Sequence, residues 1–330
     1  GRLKMKILYL MSKADPLYAS NYSMIYMFDK FAEVKHYGPE FPKYKDEAYE
    51  PNSIDVLDVI SRLYPNDYPD LVLTWGPHSR GLLPALKNFE LAKCLRVVWL
   101  LELHNDIMLP EVYQFLSNKG ADLVLKSHDY ENESEYGQRL RDLGIPVEWY
   151  PHSIDPSVFY DRKLPKIYDV TNIGQMTTQH YPVRYRMHEV LRGQSEIRYM
   201  SSPTKHLHGE EYAKVICQSK IFATDTSTFR FTIPKLYEAM ACNTLLMSTR
   251  PRSAEIIGLE NGVNYVEIED NAAPEASRVD PNCFIEPIRY YLQHEEEARR
   301  IAQRGHDLVH SRHTHHIRAK EMLTIFEKYI

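Results

Sequence analysis

The stretch that decides the fold is Phe229-Arg-Phe-Thr-Ile-Pro-Lys-Leu-Tyr-Glu-Ala-Met-Ala-Cys-Asn-Thr-Leu-Leu-Met-Ser248. It reads as a loop, a short helix and a buried strand. Pro234 suits a first helical turn, where its missing N–H would have no partner to lose. Lys235 and Glu238, three apart, share one helix face. Ala239, Met240 and Ala241 are small or pliable, and Asn243 suits the left-handed turn that ends a helix. Thr244 to Met247 is then a short apolar strand. A loop feeding a helix N-terminus behind a sheet offers backbone N–H groups to an anion.

Outward from this stretch the same alternation repeats. Lys6-Ile-Leu-Tyr-Leu-Met11, Leu71-Val-Leu-Thr-Trp75, Arg96-Val-Val-Trp-Leu-Leu101 and Leu123-Val-Leu125 are nearly continuous apolar runs, as strands covered on both faces require. Helical patterns lie between them, at Tyr22 to Phe31, Ile54 to Leu63, Leu82 to Leu91, Pro110 to Lys119 and Glu135 to Leu143. Pro151 to Phe159 and the basic Asp161 to Lys166 form a polar, proline-flanked connection. A second series follows, with strands at Tyr168 to Ile173, Glu196 to Met200 and Lys220 to Ala223. One long helix over Pro287 to Arg304 and a last one over Leu308 to Tyr329 close the chain. This is the pattern of two doubly wound α/β domains. The expected division is 1–155, 156–310 and a C-terminal helix, 311–330, returning to the first domain.

The 330 residues suffice for two such domains, and 26% charged with 43% hydrophobic residues is ordinary for a globular protein. A formal charge of -5 carries no basic excess and disfavours nucleic acid as a partner. Cys94, Cys217, Cys242 and Cys283 make no C-x-x-C pair and read as reduced thiols of a cytoplasmic protein. No apolar run approaches the length of a spanning helix. No glycine-rich fingerprint follows the first strand, and neither a Walker loop, a G-x-S-x-G elbow nor an Asp-x-Asp pair is present.

Open α/β sheets bind ligands beyond the carboxyl ends of their strands. His104 and Asp106 end the fourth strand and could contact a substrate hydroxyl or take up a proton; a packed histidine and a helix-capping aspartate are the alternative. Gly174 to Thr178, including Thr177, could cradle phosphate together with an arginine from the following helix. Arg184 and Arg186 are two apart there and point to different faces, so one at most would serve. The Glu238 carboxylate could accept from both hydroxyls of a ribose, or be a surface group favoured by the helix dipole. His206, His208, His313, His315 and His316 lack the partners and spacing of a zinc site.

These pieces, in their order, resemble one family. Pro151-His-Ser-Ile-Asp-Pro-Ser-Val-Phe159 is similar to the interdomain segment of group 1 (family 4-like) retaining GT-B glycosyltransferases. Asp169-Val-Thr-Asn-Ile-Gly174 with Tyr181-Pro-Val-Arg184, and Gly305-His-Asp-Leu-Val-His-Ser-Arg-His313-Thr-His-His-Ile-Arg318, resemble its CgeB-like, spore-maturation branch. The opening stretch resembles the donor-binding block. The resemblance implies two Rossmann-like domains facing a central cleft, and transfer of a sugar from a nucleotide-diphosphate sugar with retention of configuration. It implies no cofactor and no metal, and leaves open a glycan, small-molecule or protein acceptor. Gly174, Thr177, Arg184, Arg230, Phe231, Thr232, Ile233, Lys235 and Glu238 would hold the donor, and His104 or Asp106 would face its sugar. One departure stands out. The family's E-x7-E motif would begin at 230, where this chain has Arg230; Glu238 fits the second glutamate. Arg230 would then serve the diphosphate. A sugar-nucleotide epimerase or phosphorylase on the same fold, and a non-catalytic nucleotide-binding scaffold, are the alternatives.

Overall fold

The computed structural model describes residues 4–11, 23–38, 53–75, 86–100, 109–128, 140–202, 207–269 and 275–330. The chain divides into two compact units, residues 1–151 with 316–330, and residues 152–315.

The strands of the first unit are β1 (Lys6–Leu10), β2 (Glu33–Tyr37), β3 (Ile54–Asp55), β4 (Leu71–Trp75), β5 (Leu86–Lys87), β6 (Leu95–Leu100), β7 (Leu123–Lys126) and β8 (Val147–Trp149). Its main sheet has the order β2-β1-β4-β6-β7-β8. All its pairs are parallel. Because side chains alternate along a strand, each apolar run supplies two cores. Leu8, Leu10, Val72, Val98, Leu100 and Val124 pack on one face against helix α1 (Val56–Leu63), helix α2 (Leu109–Lys119) and Phe89. Ile7, Tyr9, Leu71, Leu73, Val97, Trp99, Leu123 and Leu125 take the other face, with Phe28, Ala319, Met322 and Phe326 over them. The last three belong to the C-terminal helix. Asp55 caps α1, its Oδ1 accepting from Leu57 N at 3.0 Å.

The second unit contains β9 (Tyr168–Ile173), α3 (Pro182–Leu191), β10 (Tyr199–Ser202), α4 (Gly209–Cys217), β11 (Ser219–Thr224), α5 (Pro234–Ala241), β12 (Leu245–Thr249), α6 (Ala254–Ile257), β13 (Val266–Ile268), α7 (Asn282–Gln293) and α8 (Glu295–Arg312). Its sheet runs β10-β9-β11-β12-β13, again parallel throughout. Val170, Ile221, Ala223, Leu245 and Met247 share one core with Val183 and Met187 of α3, Phe284 and Ile288 of α7, and Ile301 of α8. The chain leaves this unit through an isolated parallel bridge between Ile154 and Thr314. Helix α9 (His315–Glu327) follows.

Several local expectations are corrected. Ser23–Lys30 is a 3-10 helix, and Leu86–Lys87 with Phe89–Leu91 is a short strand and a 3-10 turn rather than a helix. There Asn88 is left-handed, at φ 61, and its Nδ2 donates to Asp55 at 2.8 Å. The helix expected over 287–304 is two helices, broken at His294 (φ -112, ψ 58). Glu295, Glu296 and Glu297 open the second of them, where carboxylates favour a fresh N-terminus.

Candidate functional site

The site is built where β9, β11 and α5 end or begin in the second unit. Gly174 follows β9 with φ +124, a conformation that L side chains rarely adopt. A Cβ there would lie 2.7 Å from Lys235 Cε and 3.0 Å from Arg184 Nη1. Two cations therefore converge on the one position that carries no side chain.

Helix α3 starts at Tyr181-Pro182 and has no side-chain cap of its own. The Asp225 carboxylate, from the end of β11, does that work instead. It accepts from Arg184 N at 2.9 Å and from Ser227 N at 3.1 Å. The orphan N–H groups of α3 thus already face an anion, supplied by the protein. The Arg184 guanidinium is 2% exposed. It donates from Nη1 to Gln175 O at 2.9 Å, and from Nη2 to Thr224 Oγ1 at 3.0 Å and Asp225 O at 3.3 Å. It also lies 4.1 Å from the Tyr181 ring centroid. Nε alone has no partner among the described residues. Arg184 is therefore largely a brace between the loop after β9 and the end of β11, contributing its charge more than its donors. Burial pushes the Asp225 carboxyl up, while Arg184 and the backbone N–H groups pull against that.

Helix α5 is left differently. Its N-cap, Ile233, is extended (φ -87, ψ 153) and offers no side-chain cap, and Pro234 opens the first turn. Thr232, 1% exposed, has a buried Oγ1 without a partner among the described residues. Lys235 sits in the first turn. Burial lowers its ammonium below the ordinary lysine value; Glu238 pulls it back and Arg184 pushes it further down. Its Nζ lies 5.9 Å from the Tyr212 ring centroid. Glu238 is 4% exposed, on the same face one turn on, beside the Tyr212 phenol. Burial, then that carboxylate, raises Tyr212 well above its ordinary value.

Arg230 lies in a tight loop. Both it (φ 57) and Ser227 (φ 66) are left-handed, which costs about 1–2 kcal/mol for each such residue. The loop is held by Phe231 N donating to Thr226 O at 2.8 Å and Arg252 N donating to Arg230 O at 2.9 Å. Phe229 stacks on Phe231 with ring centroids 5.1 Å apart. Thr177 is exposed, and its Oγ1 accepts from His180 N at 3.2 Å in the turn before α3. Arg186 pairs with Glu189 at 3.3 Å, away from Arg184. His104 and Asp106 lie outside the described residues. Gly174, Arg184, Lys235 and Glu238 are thus gathered, with Arg230, Phe231, Thr232 and Ile233 on the loop entering α5. Asp225 and Tyr212 escaped the sequence reading. The signal for Asp225 was there: a helix opening on Tyr-Pro needs its cap from elsewhere. Among the described residues no three His, Cys, Asp or Glu side chains cluster as metal ligands, and no helix is long and apolar enough to cross a membrane.

Residues 180–324 match the glycosyl transferase-like family model. No curated protein matches the chain. Among solved structures the chain is similar to sucrose-phosphate synthase from Thermosynechococcus elongatus, at 12% identity and TM-score 0.61, covering 98% of this chain and 99% of that one. It is similar to Anabaena HepE in complex with UDP-glucose, at 13% identity and TM-score 0.58, over 98% of this chain and 100% of that one. A glycosyltransferase from Rickettsia africae is similar at 12% identity and TM-score 0.59, over 99% and 98%. The chain thus has the α/β fold of the GT-B glycosyltransferases, and its residues 180–324 match the glycosyl transferase-like family model.

Proposed function

We propose that the chain transfers a sugar from a nucleotide-diphosphate sugar to an acceptor hydroxyl, with retention of configuration and without a metal, as in the CgeB-like branch. The carrying observation is the convergence of Lys235 and Arg184 on Gly174 beside the start of α5. In this reading Lys235, Arg230 and the backbone at Thr232 and Ile233 hold the diphosphate. Arg184 positions Lys235 by sharing its space, and Thr177 shapes the turn beside them. Glu238 takes the ribose hydroxyls. His104 and Asp106, carried over from the resemblance alone, face the donor sugar. The similarity to HepE, solved with UDP-glucose, makes UDP and UDP-glucose the first ligands to try.

The chemistry asks for little else. Cleavage of the anomeric C–O bond sends its electron pair to the leaving diphosphate, whose growing charge needs fixed positive groups. Lys235 and Arg184 are present before substrate arrives and reorganise little. The acceptor oxygen attacks from the face the leaving group departs, and its proton passes to the leaving phosphate oxygen. No protein nucleophile is required.

The first test is thermal shift against UDP-, GDP-, dTDP- and CMP-sugars, followed by assay of free nucleotide release. Stabilisation with nucleotide release and no epimerised donor supports transfer; no stabilisation by any of them overturns it. Glu238→Gln should weaken nucleoside diphosphate binding about tenfold, as loss of a charge-assisted hydrogen bond does. Inorganic diphosphate should bind unchanged, and a melting temperature falling in step with affinity would make Glu238 structural.

The lowered Lys235 gives a pH signature. A bound diphosphate stabilises the ammonium, so binding above the free protein's Lys235 pKa takes up a proton. Affinity should therefore fall as pH rises through that value, below the ordinary 10.5. The sign for stability is opposite. Folding disfavours the charged form, so this group's contribution rises with pH between its folded and unfolded values. Calorimetric titrations of UDP at several pH values would show the slope, and Lys235→Met should remove it. A second reading, a nucleotide-binding scaffold without turnover, is favoured by Arg230 in the place of the family's first glutamate; binding without nucleotide release would establish it.

A further inference from the structure

The end of β11 buries a carboxylate beside a site that calls for cations. Asp225 is 1% exposed, and its Oδ1 lies 3.9 Å from Arg184 Nη2. A buried anion destabilises a fold unless its oxygens are paired. Here each oxygen takes a backbone N–H from a different segment. Oδ2 accepts from Arg184 N at 2.9 Å, on α3, and Oδ1 accepts from Ser227 N at 3.1 Å, on the loop entering α5. Helix caps are normally local, and a serine or aspartate at the N-cap, in place of Tyr181, would satisfy α3 without burying a charge. Such a cap would leave the loop untied. The one thing a remote carboxylate adds is the link.

The loop it holds is strained. Ser227 and Arg230 are both left-handed, which neither residue type favours, so surrounding contacts must impose the conformation. Phe229 N donates to Ser227 Oγ and Arg230 N to Ser227 O, each at 3.1 Å, curling the loop on itself. Thr226 N donates to Thr249 Oγ1 at 2.9 Å, which roots the loop on β12. A second tie reaches the approach to α3: Thr228 N donates to His180 O at 3.0 Å. The His180 ring stacks on Phe229, with centroids 6.3 Å and planes 23° apart. Arg184 Nη2 in turn donates to the Asp225 carbonyl at 3.3 Å. The loop carrying Arg230 is thus set in register with the helix carrying Arg184, and Asp225 is the residue common to both.

We propose that Asp225 is a positioning residue of the transfer reaction, fixing the loop that carries Arg230, Thr232 and Ile233 against the start of α3 and the Arg184 guanidinium. The inference rests on the donor-site reading above and adds to it a residue that touches neither sugar nor phosphate. As the anomeric bond breaks, charge grows on the leaving diphosphate. The groups around it therefore matter more in the transition state than in the bound donor. A small displacement of them costs turnover before it costs binding. Asp225 also sets a negative charge beside Arg184, so neutralising it does not weaken the attraction for the ground-state donor. The signature of this role is a loss of kcat at nearly constant KM.

The full chain and Asp225→Asn are compared for UDP release from UDP-glucose, or for nucleotide release from whichever GDP-, dTDP- or CMP-sugar the wild type turns over. Asparagine keeps the shape but offers one acceptor oxygen in place of two, so one of the two N–H groups loses its partner. kcat should fall about 10- to 100-fold while KM stays within about threefold. The melting temperature falls as well, and Ser227→Gly separates the two effects, because glycine accepts the left-handed backbone at 227 without strain. Combining it with Asp225→Asn should return the melting temperature toward the wild-type value. The double variant's kcat should nevertheless lie as far below that of Ser227→Gly alone as Asp225→Asn lies below the wild type. Where Asp225→Asn folds poorly by itself, the two glycine variants carry the same comparison. An unchanged kcat, a loss of kcat that disappears once stability is restored, or a rise in KM exceeding the fall in kcat would each overturn the proposal. A wild-type chain that releases nucleotide from none of the donors overturns the transfer reading itself, and this inference with it.

Discussion

Lys235→Met should abolish useful nucleoside diphosphate binding while leaving the fold at least as stable as the parent. The side chain lies in the first turn of α5, and its charge is held below its ordinary protonation range by burial. Removing that charge takes away a desolvation penalty, and methionine keeps most of the volume. What is lost is a cation beside Gly174, where the donors of the neighbouring Arg184 are already spent on protein oxygens. A charge-assisted contact to phosphate is worth about 1.5–3 kcal/mol, so affinity for UDP should fall roughly 100-fold. Isothermal titration gives the affinity and thermal melting the stability. A parallel fall in both would reassign Lys235 to holding Glu238, since an unpaired buried carboxylate destabilises.

Gly174→Ala should do the reverse and damage both properties. The backbone at φ +124 disfavours any side chain, and the new methyl would meet Lys235 Cε at 2.7 Å and Arg184 Nη1 at 3.0 Å. Lys235 has a flexible stem and can yield; Arg184, fixed by three acceptors, moves with difficulty. Strain and displacement together should cost about 3 kcal/mol, which for a unit of this size lowers the melting temperature by roughly 6–12 °C. Lys235 is pushed from its place at the same time, so nucleotide affinity falls too. In a Lys235→Ala background the same glycine substitution should cost less, leaving only backbone strain and the Arg184 contact. Additive losses in the double variant would show that the two positions do not share space.

Much of the architecture was legible because it is local. Leu71 to Trp75 and Leu123 to Leu125 are nearly continuous apolar runs, and a parallel strand buried on both faces needs that pattern. Pro234 and Asn243, the latter left-handed at φ 57, marked the two ends of α5 by backbone preference alone. Where the sequence misled, a distant contact had decided. The chain breaks before α9 where Thr314 bridges to Ile154, which no helical pattern records. Asp225 caps a helix 41 residues away, and Gly174 makes room for a lysine from another helix. Such convergence is a property of the folded sheet. Residue types announced that phosphate chemistry was possible, but not which cation would remain to do it.

The C-terminal helix has a further meaning for how the molecule is made. Ala319, Met322 and Phe326 cover a sheet face formed by Ile7, Tyr9, Leu71, Leu73 and Val97. Those strands leave the ribosome long before the helix that shields them. The second unit, finished by residue 315, has all its core in hand while the first still shows bare apolar strands. Synthesis therefore runs against the usual vectorial order, in which the N-terminal part completes itself first. A nascent chain stalled before α9 would present that face to chaperones or to other chains.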